Sequence, residues 1–351
     1  MNYLKSKKPK LIIDCTHLGR NTTGIERITE ELFNETALGT DSIYHITSGS
    51  TWLLIVKQWF YITIKSILNP NAKVLTPGFP PSILLSFLRG NKVVPYIHDM
   101  FLLSRQNEIN IRAKYYMRPS LSYAAKNLNC FFVNSNKTAT ELQAYCKPNA
   151  NIMLYRPVIN NVFNLDYDEN RYNAVSLHKM KILMLGTVEP RKNYSGALDI
   201  FEKCRDVLGK NVELHVVGRL GWGKDSERLK DTAGVFCHGY LSAQEVKSLV
   251  QTCTFFLSTS HDEGLGLPLL ELQYSGIAIV ASDIPVFREV LLDSGLLIDP
   301  SNANVCAERI IGFFSEQNLT QIAINSYSNV HIWNEQANND RLKVIDFIYN
   351  K

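Results

Sequence analysis

The sequence predicts an α/β protein built from two doubly wound, parallel-sheet domains. Three observations predict it. The chain has 351 residues, more than one usual domain. Short apolar runs alternate with helical patterns twice over. A polar stretch, 160–176, lies between the two alternations. In the first half, Leu11–Asp14, Lys73–Leu75, Val93–Ile97 and Cys130–Val133 read as strands, with helical patterns at Ile25–Phe33 and Asn110–Leu128. In the second half the strands are Lys181–Leu185, Glu213–Val217, Phe255–Leu257 and Ile277–Ala281. Helical patterns, including Ser195–Val207 and Ala243–Gln251, sit between them. Strands that alternate with helices require parallel sheets. Ligands of such sheets lie in the crevice at the carboxyl ends of the strands. The expected domains are 1–165 and 166–330, followed by a closing segment, 331–351, in which Trp333–Ile348 reads as a long helix.

Composition narrows the classes. Hydrophobic residues make up 45% and charged residues 20%, as in ordinary globular proteins. The seven cysteines are scattered without a CxxC pair, which points to buried, reduced thiols and a cytosolic protein. The eight histidines are scattered too, so no structural metal cage is expected. The net charge of +4 is uneven: residues 1–170 hold 19 Lys+Arg against 12 Asp+Glu, and the remainder 18 against 21. A basic first half suits an anionic partner such as phosphate groups, a membrane surface or a charged acceptor. No recognised nucleic-acid motif accompanies it, so nucleic acid is not an expected partner. The basic start, 1–10, lacks a signal-peptide core. Trp52–Leu68 is shorter than the roughly 20 residues of a spanning helix and is interrupted by Lys57 and Lys65. A helix there puts Lys57, Tyr61 and Lys65 on one stripe. It fits either a helix packed in the first domain or one lying in the plane of a membrane interface.

The motif richest in chemistry is His261–Gly276, HDEGLGLPLLELQYSG, directly after the strand Phe255–Leu257. Gly264 and Gly266 leave backbone N–H groups uncovered, Pro268 suits a first helical turn, and Gly276 terminates the helix. The amides of Gly264, Leu265, Gly266 and Leu267 therefore make a phosphate-seeking turn. Two carboxylates bracket it, Glu263 before and Glu271 eight residues on. A carboxylate accepts two hydroxyl hydrogen bonds, which suits sugar diols. Glu271 is read as the ribose holder and Glu263 as the holder of a second sugar; an exposed acidic turn is the bland alternative. GTVEPRKN, Gly186–Asn193, follows the strand Lys181–Leu185 and places Arg191 and Lys192 where they can meet a diphosphate. Both would stabilise a departing nucleoside diphosphate.

These motifs resemble the E-x7-E signature of retaining GT-B glycosyltransferases of the large group 1 type (family 4), which includes bacterial mannosyl-, glucosyl- and N-acetylglucosaminyltransferases. Residues 180–300 follow that family's order, and VASDIPVFREVLLDSGLLIDP, Val280–Pro300, resembles its next strand and loop. The resemblance implies two Rossmann-like domains facing across a cleft, the second holding the donor. It makes Arg191 and Lys192 the phosphate-clamping pair. It implies that Tyr240 and Leu241, in HGYLSAQEV, meet the nucleobase, and that Gly24 brings an amide to the donor phosphate; Glu26 stands where the family often has glycine. His98 of YIHDMFLL corresponds to the histidine over the donor sugar, with Asp99 orienting it or capping a turn. Arg219 of VVGRLGWG is either a phosphate neighbour or a plain loop residue. In such a fold the closing helix crosses back to the first domain.

The expected reaction moves a hexosyl group from a nucleoside-diphosphate sugar, GDP-mannose as first choice, to a hydroxyl of a lipid-linked or polysaccharide acceptor. O-antigen, capsule or exopolysaccharide synthesis is the expected setting, in the cytoplasm or peripherally on the inner face of the membrane. No cofactor and no metal are expected. Asp166-Tyr167-Asp168 spells a metal-binding DxD but lies in the polar joint, and is assigned to a solvated linker. Two alternatives stay open: a sugar-nucleotide epimerase of the same fold, which would need no acceptor, and a non-catalytic donor-binding subunit.

Overall fold

The structure is a computed structural model, which describes residues 10–19, 24–48, 51–105, 113–172, 179–221, 224–316 and 318–350. The chain divides into two compact units. One comprises Met1–Val158 with Gln336–Lys351, and the other Ile159–Glu335.

The first unit holds a six-stranded parallel sheet. Its strands are β1 (Leu11–Cys15), β2 (Ile43–Thr47), β3 (Lys73–Thr76), β4 (Val93–Ile97), β5 (Cys130–Val133) and β6 (Asn151–Leu154), in spatial order β2-β1-β3-β4-β5-β6. β1, β4 and β5 are buried along their whole length, which explains why they read as unbroken apolar runs. β2 and β6 at the two edges are half-exposed, and their mixed composition hid them from the sequence reading.

Residues 51–68 form consecutive helical segments: Thr51–Val56, a π-type turn Lys57–Tyr61, and Ile62–Leu68. Lys57, Tyr61 and Lys65 share a stripe as predicted. Lys65 Nζ lies 5.0 Å from the Tyr44 ring and 5.5 Å from the Tyr61 ring. The inner face is fixed by a buried polar network. Gln58 Nε2 donates to Asp14 Oδ2 (3.0 Å) and Thr16 Oγ1 (3.1 Å), and Tyr116 Oη donates to Gln58 Oε1 (2.5 Å). The helix expected over Asn110–Leu128 is described from Ala113, as a π-type turn Ala113–Met117 followed by Arg118–Asn127; its start lies outside the described residues.

The second unit repeats the plan. Its strands are β7 (Lys181–Leu185), β8 (Glu213–Val217), β9 (Val235–Gly239), β10 (Phe255–Ser258), β11 (Ala278–Ser282) and β12 (Gly295–Ile298). They form one parallel sheet in the order β12-β11-β10-β7-β8-β9. Alternate residues of each strand enter opposite cores. Ile182, Met184, Phe255, Leu257 and Val280 pack in one cluster, while Leu183, Phe256, Ile279 and Ala281 pack in the other. Helices thus cover both faces of the sheet, the doubly wound arrangement that the sequence alternation predicts.

The closing helix runs Leu319–Asn350, beginning well before the Trp333 read from sequence. Its early buried face includes polar residues that disguise the apolar period. Ser326 Oγ donates to the Ile277 carbonyl (2.7 Å), and Asn329 Nδ2 to Gln273 Oε1 (2.8 Å) and the Val290 carbonyl (2.9 Å). Residues to Glu335 belong to the second unit, and those from Gln336 to the first. In the first unit Arg156 pairs with the buried Asp340 at 2.7 Å.

Candidate active site

In the second sheet, chain order reverses between β7 and β10. β8 and β9 lie to one side of β7, β11 and β12 beyond β10 on the other. Loops leaving adjacent strands in opposite directions open a crevice at the carboxyl ends, the usual ligand site of such sheets. The two motifs singled out in the sequence leave those two strands.

The first loop, 186–193, approaches the backbone of its neighbour closely. Gly186 N–H donates to the Val217 carbonyl (2.9 Å), and Val188 N–H to the Arg219 carbonyl (3.0 Å). Gly218 has φ +138°, and a Cβ there would lie 2.2 Å from the Gly186 oxygen, so only glycine fits. Pro190–Lys192 makes a single 3-10 turn, ended by Asn193 in the left-handed region at φ 51°. Asn193 Oδ1 then accepts from Gly196 N–H (3.1 Å) and caps the helix Tyr194–Leu208. This tight stop aims Arg191 and Lys192 off the end of β7. Asn193 was missed in the sequence, although asparagine just before a helix is the expected signal.

The second loop locks onto the first. Thr259 Oγ1 donates to the Asn193 carbonyl (2.8 Å), His261 N–H donates to the Arg191 carbonyl (2.9 Å), and Arg191 Nη1 donates to the Asp262 carbonyl (3.0 Å). Arg191 and Lys192 each take one carboxylate oxygen of Glu263 in a close ion pair. Glu189 adds a second carboxylate on Arg191 at 2.7 Å, and Ser260 Oγ donates to Glu263 Oε1 at 3.0 Å. Glu263 is buried, at 6% exposure. Burial drives its carboxyl pKa up, but Lys192 and Arg191 outweigh that, and the group lies below its ordinary range. The sequence assigned the cations to phosphate and Glu263 to a sugar separately. The fold places all three in direct contact, and Glu189 and Ser260 were not foreseen.

After Glu263 the chain turns through Gly264–Leu265–Gly266 into the helix Leu267–Gln273, with Pro268 in its first turn. Gly266 has φ +84°, and a Cβ there would stand 2.7 Å from Phe287 Cε1. Leu265 is buried, and Leu267 packs against the core. Glu271 is 4% exposed, so neither carboxylate belongs to an exposed acidic turn.

The remaining second-unit candidates follow along the sheet edge. Arg219, after β8, lends its carbonyl to the first loop while its side chain is exposed. Tyr240, after β9, is 83% exposed, and Leu241 packs partly against the core. Ser242 and Glu245 form the capping box that the sequence predicts. In the polar joint, Asp166 pairs with Lys247 at 2.7 Å and Asp168 accepts from Asn170 N–H at 2.9 Å, so the two carboxylates have separate partners.

In the first unit, the loops after β1, β3 and β4 interlock. His98 Nε2 donates to the Pro77 carbonyl at 2.6 Å, and its ring meets Tyr96 edge-on at 4.8 Å. That bond fixes the proton on Nε2 and leaves Nδ1 as a hydrogen-bond acceptor. Burial lowers the His98 pKa to about 4 against the Pro77 contribution. The unfolded chain therefore takes up this proton first as pH falls below 6.5, and stability declines between there and about pH 4. The imidazole 1H–13C resonances of His98 are expected to stay constant from neutral pH to about pH 5; a transition near 6.5 would contradict this environment. Asp99 Oδ1 accepts from Phe101 N–H (3.0 Å), capping the turn that follows. Gly24 opens the helix Gly24–Leu32, whose Glu26 is buried. Residues 20–23 before it lie outside the described residues.

Residues 168–328 match the family described as Glycosyl transferases group 1. The chain is 29% identical over 146 residues to O-antigen chain mannosyltransferase B of Escherichia coli; the match covers 40% of this chain and 38% of that relative. WaaG, a glycosyltransferase involved in lipopolysaccharide biosynthesis, superposes with TM-score 0.68 at 14% identity, covering 97% of this chain and all of WaaG (100%). Anabaena Alr3699/HepE, solved in complex with UDP and glucose, gives TM-score 0.67 at 15% identity, covering 94% of this chain and 98% of that one.

Proposed function

With residues 168–328 a glycosyl transferases group 1 domain in a chain of GT-B fold, we propose that this protein transfers a hexosyl group from a nucleoside-diphosphate sugar to a hydroxyl acceptor. One observation carries the proposal. Arg191, Lys192 and the buried Glu263 meet where β7 and β10 part, beside a glycine turn that leads into the helix carrying the buried Glu271. A diphosphate answers that arrangement: Arg191 and Lys192 meet its charge, and the amides of 264–267 take its oxygens. Glu263 and Glu271 accept from hydroxyls of the transferred sugar and the ribose. Charge grows on the leaving diphosphate in the transition state, so fixed cations there accelerate departure.

In the first unit, neutral His98 supplies an acceptor for a sugar hydroxyl rather than a positive charge. Gly24 and Asp99 keep the roles that resemblance implies. Tyr240 and Leu241 are proposed to meet the base, with Arg219 near the phosphates.

Mannose from GDP-mannose is the proposed donor group, and a lipid-linked or polysaccharide acceptor of O-antigen type the proposed substrate, since an O-antigen mannosyltransferase is among the relatives. Retention of anomeric configuration through front-side attack, without metal, completes the proposal. Thermal-shift titration with GDP-, UDP- and dTDP-sugars tests it. GDP-mannose is expected to raise the melting temperature most, and NMR of the product to show retained configuration. An inverted product would overturn the stereochemical part, and indifference to all the nucleotides the whole. Conversion of the donor alone to another sugar nucleotide would make the protein an epimerase.

A further inference from the structure

The proposed function gives no part to a second buried histidine of the first unit. His17 lies in the turn that follows β1, closed by Leu18 N–H on the Cys15 carbonyl (3.1 Å). Asp14 Oδ1 braces the turn by accepting from Thr16 N–H (3.0 Å) and Thr16 Oγ1 (2.6 Å), while Gln58 holds Asp14 from its other oxygen. His17 is 5% exposed, and Thr29, on the helix Gly24–Leu32, is buried as well. The two side chains meet, with His17 Nε2 2.9 Å from Thr29 Oγ1. The threonine hydroxyl gives its own proton to the Ile25 carbonyl (2.9 Å). The bond from His17 is therefore an N–H donation, which places a ring proton on Nε2. Through it the β1 loop grips the first turns of the helix that Gly24 opens.

The flat side of the same ring holds a second loop. Gly78, after β3, packs so close that a Cβ there would lie 2.3 Å from His17 Nδ1 and Cε1. Phe79 meets the ring edge-on, with centroids 5.7 Å apart. Pro77 gives its carbonyl to His98 Nε2 at 2.6 Å. The segment Pro77–Gly78–Phe79 is thus held between two histidines, His17 and His98. A shift of His17 would move the start of the Gly24 helix on one side and the support of His98 on the other. Space-filling alone does not account for a histidine here. An aliphatic side chain could fill the volume but could not donate to Thr29.

We infer that His17 is a positioning residue for the donor, setting the Gly24 amide and the His98 ring relative to each other. The inference rests on the donor contacts proposed above for Gly24 and His98. Ligand-observed NMR titrations of the full chain with GDP-mannose and with GMP test it. GMP lacks the transferred sugar and the phosphate that carries it, and the proposed contacts to its base and ribose belong to the second unit. His17→Ala is expected to weaken GDP-mannose binding about ten-fold, as for the loss of one hydrogen bond to a charged group, and to leave GMP binding unchanged. A general loss of structure would weaken both ligands together. His17→Gln, whose side-chain N–H reaches about as far as Nε2, should recover most of the loss, and His17→Asn should not. Gly78→Ala attacks the same contact from the other side. It should weaken GDP-mannose binding in the unsubstituted chain and add little in His17→Ala, where the ring it would strike is gone. Equal weakening of the two ligands, unchanged GDP-mannose binding in His17→Ala, or additive effects of the two substitutions overturns the inference. Binding of neither ligand by the unsubstituted chain overturns the donor reading, and this inference with it.

Discussion

Replacing Lys192 by alanine is expected to lower kcat by about 10²–10³-fold, the usual effect of removing one fixed stabiliser of transition-state charge. The lysine does two things. It faces the proposed diphosphate, and it neutralises one oxygen of Glu263 in a site almost closed to water. Without it, the carboxylate keeps only Arg191 and Ser260 as charged or hydroxyl partners among the contacts described above. Breaking a buried pair from one side costs about 3–5 kcal/mol, so a lower melting temperature is expected as well. Assays must therefore be run well below that temperature. Lys192→Arg keeps the charge and should recover stability more fully than turnover, because the guanidinium is planar and longer. A Lys192→Ala variant with kcat within a few-fold of the original would remove the lysine from the chemistry.

Glu263→Gln is expected to move two quantities in opposite directions. The amide keeps the shape but withdraws the charge that Arg191 and Lys192 share. Both cations become more available to an anion, so a nucleoside diphosphate without its sugar should bind about ten-fold more tightly. Turnover should fall by about a hundred-fold or more, since the carboxylate no longer positions the transferred sugar. Calorimetric titration with GDP and steady-state kinetics separate the two. Acid should imitate the substitution in part. Because the Glu263 carboxyl lies below its ordinary value of 4.5, the unfolded chain is protonated first as pH falls, and the stability from this cluster is lost below that value. Weaker GDP binding in Glu263→Gln would mean that the carboxylate organises the cations for the anion rather than competing with it.

The parts of this site legible in sequence are those encoded locally. Arg191, Lys192, Gly264, Gly266 and Pro268 each stand at a fixed offset from a buried strand, and β7 and β10 are continuous apolar runs. The contact of Glu263 with residues more than seventy positions earlier depends on β7 pairing with β10. Strand order is set by how the helices cover the sheet, and no local pattern announces it. The edge strands β2 and β9 escaped for another reason. β9 alternates exposed and half-buried residues, β2 is exposed at most positions, and they carry Tyr44, His45 and His238 where a run of aliphatics would signal a strand. The early part of the closing helix hid because Ser326 and Asn329 occupy its buried side, each satisfied by a specific carbonyl or amide. In 51–68 the sequence did show the Lys57–Tyr61–Lys65 stripe. The π-type turn at Lys57–Tyr61 contains Gln58, whose hydrogen bonds to Asp14 and Thr16 are tertiary contacts that helix periodicity cannot convey.

A crystal structure with GDP bound to the full chain reaches the heart of the proposal. The pyrophosphate is expected against the Arg191 and Lys192 side chains and the amides of 264–267, with Glu263 released from at least one of its two cations. A pyrophosphate bound elsewhere, with both ion pairs to Glu263 intact, would show that this cluster braces two loops and takes no part in holding a donor.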